Sequence, residues 1–253
     1  MFEYLDSYQL ELAEWLLLIL CALLIGMAKT GVSGAGFVVV PILVTIFGGK
    51  PSTGFLLPML SMADLFAVKY YNRHAEWKHV LRLLPLAVVG IIVALVIGKY
   101  VSDKVFRQLI ALSIFIGIGL MVWRDFRKKP LKIPNYKVTS KFFGFLGGFA
   151  TMIGNAAGPI MSVYLLTMRL PKNNFVGTKA WFFMIINLFK IPLHIIFWST
   201  ISWNSFKFNL TLLPAIALGA IAGVKIVRLI PENYYRLLII VTTIISAFIM
   251  LYD

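Results

Sequence analysis

The chain has 253 residues, of which 60% are hydrophobic and 13% charged, and its mean hydropathy of +0.89 lies outside the range of soluble domains. This composition predicts a polytopic membrane protein. The net charge of +14 does not indicate nucleic-acid binding, because the basic residues lie between apolar runs, as cytoplasmic loops beside anionic lipid require. The single cysteine, Cys21, excludes a disulfide within the chain and a cysteine metal cluster.

Ten apolar segments follow one another along the chain. They cover residues 12–30, 34–47, 53–71, 79–99, 105–123, 140–153, 157–169, 175–199, 207–228 and 234–251. A helix needs about 20 residues to cross the hydrocarbon, so segments 34–47, 140–153 and 157–169 are too short to cross alone. They fit half-helices, re-entrant hairpins or steeply packed interior helices. The predicted fold class is an all-α integral membrane protein of about ten transmembrane or half-membrane helices.

The last five segments repeat features of the first five. The aligned pieces are Ser33-Gly-Ala-Gly36 with Asn155-Ala-Ala-Gly158, Leu84-Pro85 with Leu213-Pro214, and Val101–Arg107 with Ile230–Arg236, at offsets growing from 122 to 129 residues. This pattern predicts an internal duplication, and an odd number of segments per half makes the two repeats inverted. The predicted organisation is a first membrane repeat at 1–124, a basic cytoplasmic linker at 125–139 and a second membrane repeat at 140–253.

The basic residues predict the orientation in the membrane. With both termini outside, seventeen of the 24 basic residues are cytoplasmic, including those of the linker and Lys172 and Lys179. The positive-inside rule favours this arrangement. Lys29 and Lys190 then remain within the membrane.

Glycine-rich stretches interrupt two of the apolar regions, at 26–36 and 147–158. Non-helical backbone at bilayer depth survives only where it is buried in protein or lines a wet cavity. Paired breaks in two halves of a chain indicate the binding site of a transporter. The glycines also fit close helix packing, and both roles can hold together. The predicted helix breaks are at Gly31, Gly34, Gly36, Gly154, Gly158 and Pro192.

Two lysines within the membrane are candidates for function, because ionisable groups there are costly. Lys29 precedes the first break, where it either snorkels to the interface or places its ammonium beside a cavity. Lys190 lies midway along segment 175–199, where snorkelling is harder. Asn187 and His194 lie one turn on either side of Lys190 and share its helix face. His194 fits either a titrating group or a polar anchor.

Polar donors flank both breaks and can bind the oxygens of a substrate. Helices that begin after Gly34 and Gly158 would point their N-termini, with free N–H groups, into the same region. Such donors together with lysines suit a small oxyanion. The predicted anion-site residues are, in order, Lys190, Asn187, Asn155, Lys29, Ser33, Thr30 and Thr151.

Other polar residues give weaker signals. Asp64 is the only acid within an apolar run, and it fits either a pair with a lysine or a proton-coupling group. His74, Glu76 and His79 form a weak metal-ligand pattern, because nothing completes the set. Motifs of hydrolases and nucleotide-binding enzymes are missing from the sequence. We therefore expect no metal, no cofactor and no catalytic site.

Several of these features together resemble the TauE/SafE family of sulfite and organosulfur anion exporters. They are the first break, Tyr71-Asn-Arg-His-Ala-Glu-Trp77, Leu83-Leu-Pro85, Gly154-Asn-Ala-Ala-Gly-Pro159 and Asn187-Leu-Phe-Lys-Ile-Pro192. The resemblance implies a permease of the bacterial inner membrane, without its own ATPase domain, that moves sulfite, sulfoacetate or related anions outward. Its expected partners are the anion and the lipid bilayer, and a homo-oligomer stays open. Family members often carry a denser glycine run than Val32–Gly36, which leaves the particular anion open.

Two other functions compete with export. An anion channel or importer would leave the same sequence pattern, since direction and gating have no motif here. A membrane enzyme or scaffold would show a polar cluster at a membrane edge, for which only the group around Glu76 qualifies.

Overall fold

The computed structural model describes residues 9–32, 36, 38–126, 136–231 and 234. These ranges contain ten α-helices and no strand. In chain order the helices are α1 (Leu12–Lys29), α2 (Val39–Phe47), α3 (Gly49–Tyr71), α4 (Trp77–Tyr100), α5 (Asp103–Phe126), α6 (Tyr136–Gly154), α7 (Gly158–Thr167), α8 (Lys172–Leu193), α9 (Trp203–Thr211) and α10 (Leu213–Leu229). A short 3₁₀ turn follows α3 at Asn72–His74, and a π-helical turn follows α8 at His194–Trp198.

Four described helices are long and apolar enough to cross a membrane, namely α1, α3, α4 and α8 with its following turn. Helices α9 and α10 meet at an angle of 51° and count as a fifth span if they are taken together. These elements confirm the predicted class of all-α integral membrane protein. The last predicted segment, 234–251, lies outside the described residues except for Tyr234.

Two predicted segments have different bounds in the structure. The apolar segment 207–228 forms parts of two helices, because α9 ends at Thr211 and α10 begins at Leu213. Pro214 in the first turn of α10 has no N–H for the preceding turn, and its ring opposes a continuing helix. In addition, α2 begins at Val39, later than the predicted segment.

Helices α1 and α10 approach each other closely through glycines. Gly26 of α1 lies against the backbone of Ile216 and Ala220, and Gly219 of α10 lies against the backbone of Leu23. A Cβ atom at either glycine would overlap the partner helix. The packing role expected for glycines therefore holds at Gly26, where the first glycine-rich stretch begins.

Helices α4 and α6 are joined in the same way. Gly90 of α4 lies against the backbone of Phe145 and Phe149, and Gly148 of α6 lies against that of Ala87. The glycine-rich stretch of the second half thus also begins with a close helix contact.

The centre of the molecule is formed by α3 and α8. Of the apolar window of the α3 span, 72% is buried, whereas the figure for α1 is 28%. Asp64 of α3 and Asn187 of α8 are both fully enclosed and face each other. These two polar side chains are therefore shielded from the surroundings of the bundle.

Candidate functional site: a cationic cavity inside the helix bundle

One face of α8 carries the residues of the site. Lys179, Phe183, Asn187 and Lys190 follow one another at spacings of four, four and three residues. Side chains at these spacings lie above one another on a helix. At a rise of about 1.5 Å per residue, this row extends over about 16 Å. Helix α8 therefore presents two ammonium groups and an amide along a single line.

Lys190 is fully buried and is held by three neutral oxygens. Its Nζ donates to Asn155 Oδ1 at 2.6 Å, to Thr151 Oγ1 at 3.1 Å and to Asn187 Oδ1 at 3.4 Å. These contacts use the three N–H donors of the ammonium group. None of the three acceptors carries a charge, so the ammonium is solvated by dipoles.

Lys29 has a different environment, because a carboxylate faces it. Its Nζ lies 2.8 Å from Asp64 Oδ1, with 11% of the lysine side chain and none of the Asp64 side chain exposed. The ammonium also lies 4.4 Å from the centre of the Phe183 ring, within the range of a cation–π contact. Lys29 thus points into the protein and does not snorkel. Of the two options for Asp64, the structure shows the pair with a lysine.

Asn187 connects the two lysine environments. Its Nδ2 donates to Asp64 Oδ2 at 2.7 Å, while its Oδ1 accepts the contact from Lys190. The amide therefore uses both of its ends. An unbroken series of polar contacts runs from Lys29 through Asp64 and Asn187 to Lys190.

The second helix break places Asn155 at the end of this series. Helix α6 ends at Gly154, and Asn155 has a φ of 54°, in the left-handed region that asparagine tolerates better than most residues. Its Nδ2 donates to the carbonyl oxygen of Thr53 at 3.1 Å, so its Oδ1 is oriented toward Lys190. The break thus positions a side-chain acceptor and anchors it to α3.

A cavity of about 70 Å³ lies beside these groups. By volume it holds a few water molecules or one small oxyanion. Residues from both halves of the chain line it: Ala28, Lys29, Gly36, Val40, Leu60, Thr151, Asn155, Ala156, Gly158, Lys179, Phe183 and Asn187. Gly36 and Val40 lie by the start of α2, and Gly158 starts α7, so both breaks border the cavity.

Lys179 is a site residue that the sequence reasoning missed. The charge pattern predicted a cytoplasmic position for Lys179, and the structure shows that it lines the interior cavity, where its Nζ donates to Ser162 Oγ at 3.3 Å. The spacing from Lys179 to Lys190 along one helix face could have identified it. Within the described residues, Asp64 is the only buried acid near the three lysines.

Several predicted site residues lie elsewhere. Thr30 is buried, and its hydroxyl donates to the carbonyl oxygens of Gly26 and Ala220, both at 3.0 Å, so it ties α1 to α10. His194 contacts Thr200 Oγ1 through Nδ1 at 2.8 Å, and neither residue borders the cavity. The predicted residues Ser33 and Gly34 fall outside the described part of the chain. Of the other predicted helix breaks, Gly31 follows the end of α1 with a φ of 133°, whereas the break at Pro192 is wrong, because Pro192 lies inside α8.

Two residues of the weak metal-ligand pattern, Glu76 and His79, form contacts with residues of other helices. Glu76 Oε1 accepts from Asn174 Nδ2 at 2.7 Å, and His79 Nδ1 lies 3.1 Å from Tyr164 OH. No group of three or more potential metal ligands occurs among residues with described positions.

Fold and site together define an integral membrane protein with a positively charged cavity between its helices. The chain belongs to the sulfite exporter TauE/SafE family, whose family model matches residues 18–250. This confirms the family predicted from the sequence. The family implies a membrane transporter of sulfite or related sulfur-containing anions. No curated protein and no solved structure matched the chain.

Proposed function

We propose that the protein exports small sulfur-containing oxyanions, such as sulfite or organosulfonates, and binds them in the interior cavity. One observation carries this proposal: Lys29 and Lys179 line the cavity, and Lys190 contacts the lining residues Thr151 and Asn155. Among the described residues, the Asp64 carboxylate, paired with Lys29, is the only buried acid near these three lysines. A buried excess of positive charge is costly unless an anion offsets it.

Lys190 is the principal anion-binding group in this proposal. Its present acceptors, Thr151 and Asn155, are neutral and lie at the cavity wall. An oxyanion that replaces one of them accepts a hydrogen bond from the same ammonium and adds the attraction between opposite charges, which a neutral acceptor lacks. The starts of α2 and α7 add backbone N–H groups and a partial positive charge to the same cavity.

The mechanism in this proposal is alternating access by two inverted repeats that rock against each other around the cavity. The glycine contacts support the duplication. Gly26 corresponds to Gly148 at an offset of 122 residues, and Ile216 corresponds to Ala87 at an offset of 129, as in the sequence alignment. The close contact between α1 and α10 therefore has a counterpart between α6 and α4.

The central pair of helices supports the same relation. Asp64 and Asn187 are aligned with each other in the two halves, and they form a direct hydrogen bond. Equivalent residues meet in this way at a two-fold axis. The anion site then lies where the two repeats join, as in other transporters built from inverted repeats.

In the proposed orientation both termini lie outside a bacterial inner membrane. Basic residues at the ends of α3 and α10, such as Lys69, Lys225 and Arg228, then face the cytoplasm, as the positive-inside rule favours. An inside-negative potential drives an anion outward by about 2.3 kcal/mol per charge for each 100 mV. Export therefore needs no coupled ion.

Flux from proteoliposomes tests the proposal. The purified protein is reconstituted, the membrane potential is clamped, and efflux of sulfite, sulfoacetate, sulfate and chloride is followed. We expect efflux of a sulfur oxyanion that saturates with concentration and increases as the interior becomes more negative. Flux that rises linearly without saturation would favour a channel, and the absence of flux for every sulfur oxyanion would overturn the assignment.

A further inference from the structure

A second, larger cavity lies apart from the interior site, at the outer surface of the helix bundle. It is a groove of about 460 Å³ between the ends of α3 and α10. Helix α3 contributes Phe66, Lys69 and Tyr70, and helix α10 contributes Ile221, Val224, Lys225 and Arg228. Because none of the lysines of the interior cavity lines it, the groove is a separate site.

Three basic side chains give the groove a positive charge. Lys69, Lys225 and Arg228 are exposed, and the described lining residues include no acid. The ion pairs found between described residues involve Asp64 and Asp103, neither of which lies in the groove. Three cationic groups therefore share one groove to which the described residues contribute no carboxylate.

Arg228 is held in place within this groove. Its Nε donates to the hydroxyl of Tyr70, and its guanidinium lies 5.1 Å from the centre of the Tyr70 ring. This contact uses one of the five N–H donors of the guanidinium. An arginine fixed in this way still presents the other N–H donors of its planar guanidinium group. These donors can bind a phosphate group through two parallel hydrogen bonds.

The rest of the groove is apolar. Phe66, Ile221 and Val224 line it between the cationic edge and the buried Thr30, and the side chain of Ile221 is 53% exposed. A soluble anion would gain no binding energy from this apolar wall, and a neutral lipid would leave the three cations without a counter-charge. The combination suits an amphipathic ligand with a negatively charged head.

We propose that the groove between α3 and α10 binds an anionic phospholipid. Its phosphate lies among Lys69, Lys225 and Arg228, and an acyl chain follows Phe66, Ile221 and Val224. Basic pockets between membrane helices at the cytoplasmic surface bind anionic headgroups for this electrostatic reason. Thr30, at the end of the groove, joins α1 to α10 through its hydrogen bond to Ala220. A lipid in the groove would therefore stabilise this helix pair, which lies next to the first break.

Native mass spectrometry of the detergent-purified protein tests lipid binding without reference to transport. Phosphatidylglycerol and phosphatidylcholine are added at equal concentration to wild type, to the groove variant K69Q/K225Q/R228Q and to the control K99Q/K104Q/K207Q, which removes three charges elsewhere. We expect wild type and control to prefer phosphatidylglycerol by about tenfold, equivalent to about 1.4 kcal/mol, and the groove variant to lose this preference. Undiminished preference in the groove variant, or equal loss in the control, would overturn the proposal.

Two further experiments distinguish binding of a whole phospholipid from binding of its headgroup alone. Ile221→Trp fills the exposed apolar wall without changing charge, so we expect it to weaken phosphatidylglycerol binding while the protein elutes as a folded species. Excess inorganic phosphate should leave the bound phosphatidylglycerol in place. Wild-type lipid binding by the Trp variant, or displacement of the lipid by the excess phosphate, would contradict the assignment of the groove to a phospholipid.

Discussion

The two halves of the chain each place a lysine in the interior, and the surroundings of the two ammonium groups differ. Lys29, from the first half, has the Asp64 carboxylate at 2.8 Å. Lys190, from the second half, has only the neutral oxygens of Thr151, Asn155 and Asn187 within hydrogen-bonding distance. The aligned positions Asp64 and Asn187 account for part of this difference, because one half carries an acid where the other carries its amide.

This difference indicates that the charges of Lys29 and Asp64 stabilise the fold, whereas the charge of Lys190 binds the anion. A buried ion pair is largely self-contained, and breaking it leaves an uncompensated charge that destabilises the fold. An ammonium solvated only by dipoles retains its affinity for an anion. We therefore expect changes at Lys190 to appear mainly in anion transport and changes at Lys29 and Asp64 to appear mainly in the free energy of unfolding.

The largest effect on transport should come from Lys190→Met, which keeps most of the length of the side chain and removes its charge. We expect the rate of sulfite efflux to fall by about 100-fold, which corresponds to about 2.7 kcal/mol of lost anion stabilisation. Lys99→Met is the matched control, because Lys99 is exposed at the end of α4 and its loss should leave efflux unchanged. Efflux at the wild-type rate in the Lys190 variant would remove its proposed role.

The largest effect on stability should come from Asp64→Asn, which leaves the Lys29 ammonium buried without a counter-charge. We expect the free energy of unfolding in detergent to fall by about 3–5 kcal/mol. The double variant K29Q/D64N removes both charges and keeps two polar groups that can bond, so it should be more stable than D64N alone. Equal stability of the single and double variants would show that the ion pair has no such role.

A smaller effect is expected from Thr151→Val, which removes one acceptor of the Lys190 ammonium. The unbound protein should lose about 1–3 kcal/mol of stability, because a buried donor is left unsatisfied. Sulfite can supply the missing acceptor, so it should raise the thermal unfolding temperature of this variant more than that of wild type. Thr151→Ser keeps the hydroxyl and should behave as wild type in the same thermal assay.

The smallest effect is expected at an exposed ion pair outside the apolar segments. A hydrogen bond from the Arg107 side chain, helped by the backbone N–H groups of Lys50 and Gly49, lowers the pKa of Asp103 below its ordinary value of 3.8. Since the ionised carboxylate is favoured in the folded state, its stabilising contribution is complete above the ordinary pKa and is lost as pH falls through the lowered one.

Replacement of this exposed acid should accordingly change stability little. Asp103 and Arg107 side chains are 46% and 48% exposed, and solvent screening limits such a pair to about 1 kcal/mol or less. Urea titrations of wild type and Asp103→Asn should differ by this amount at neutral pH and converge in acid. A gap that widened in acid would reverse the sign of this assignment.

Much of the fold and part of the site could be predicted from the sequence. An ionisable or glycine-rich interruption is visible against an apolar background, which is why Lys29, Asp64 and Lys190 were recognisable as interior residues. Asn155 was recognisable because it lies next to the second break. Each of these residues is recognised from its immediate neighbours in the sequence, so a hydropathy profile is sufficient to find it.

The errors arise where position along a helix or distant packing decides the outcome. Counting charges cannot show that Lys179 shares a helix face with Lys190. Thr30 was predicted to face the anion, but its hydroxyl bonds to Ala220, which is 190 residues away in the sequence. The break at Leu212 was missed because the apolar pattern continues across it.

Equilibrium binding of radiolabelled sulfite to the detergent-purified protein tests the central claim, that an oxyanion binds beside Lys190 inside the bundle. Wild type and Lys99→Met should show saturable binding of equal affinity, and Lys190→Met should bind about 30-fold more weakly, equivalent to about 2 kcal/mol. Sulfite binding of wild-type affinity in the folded Lys190→Met protein would contradict the account.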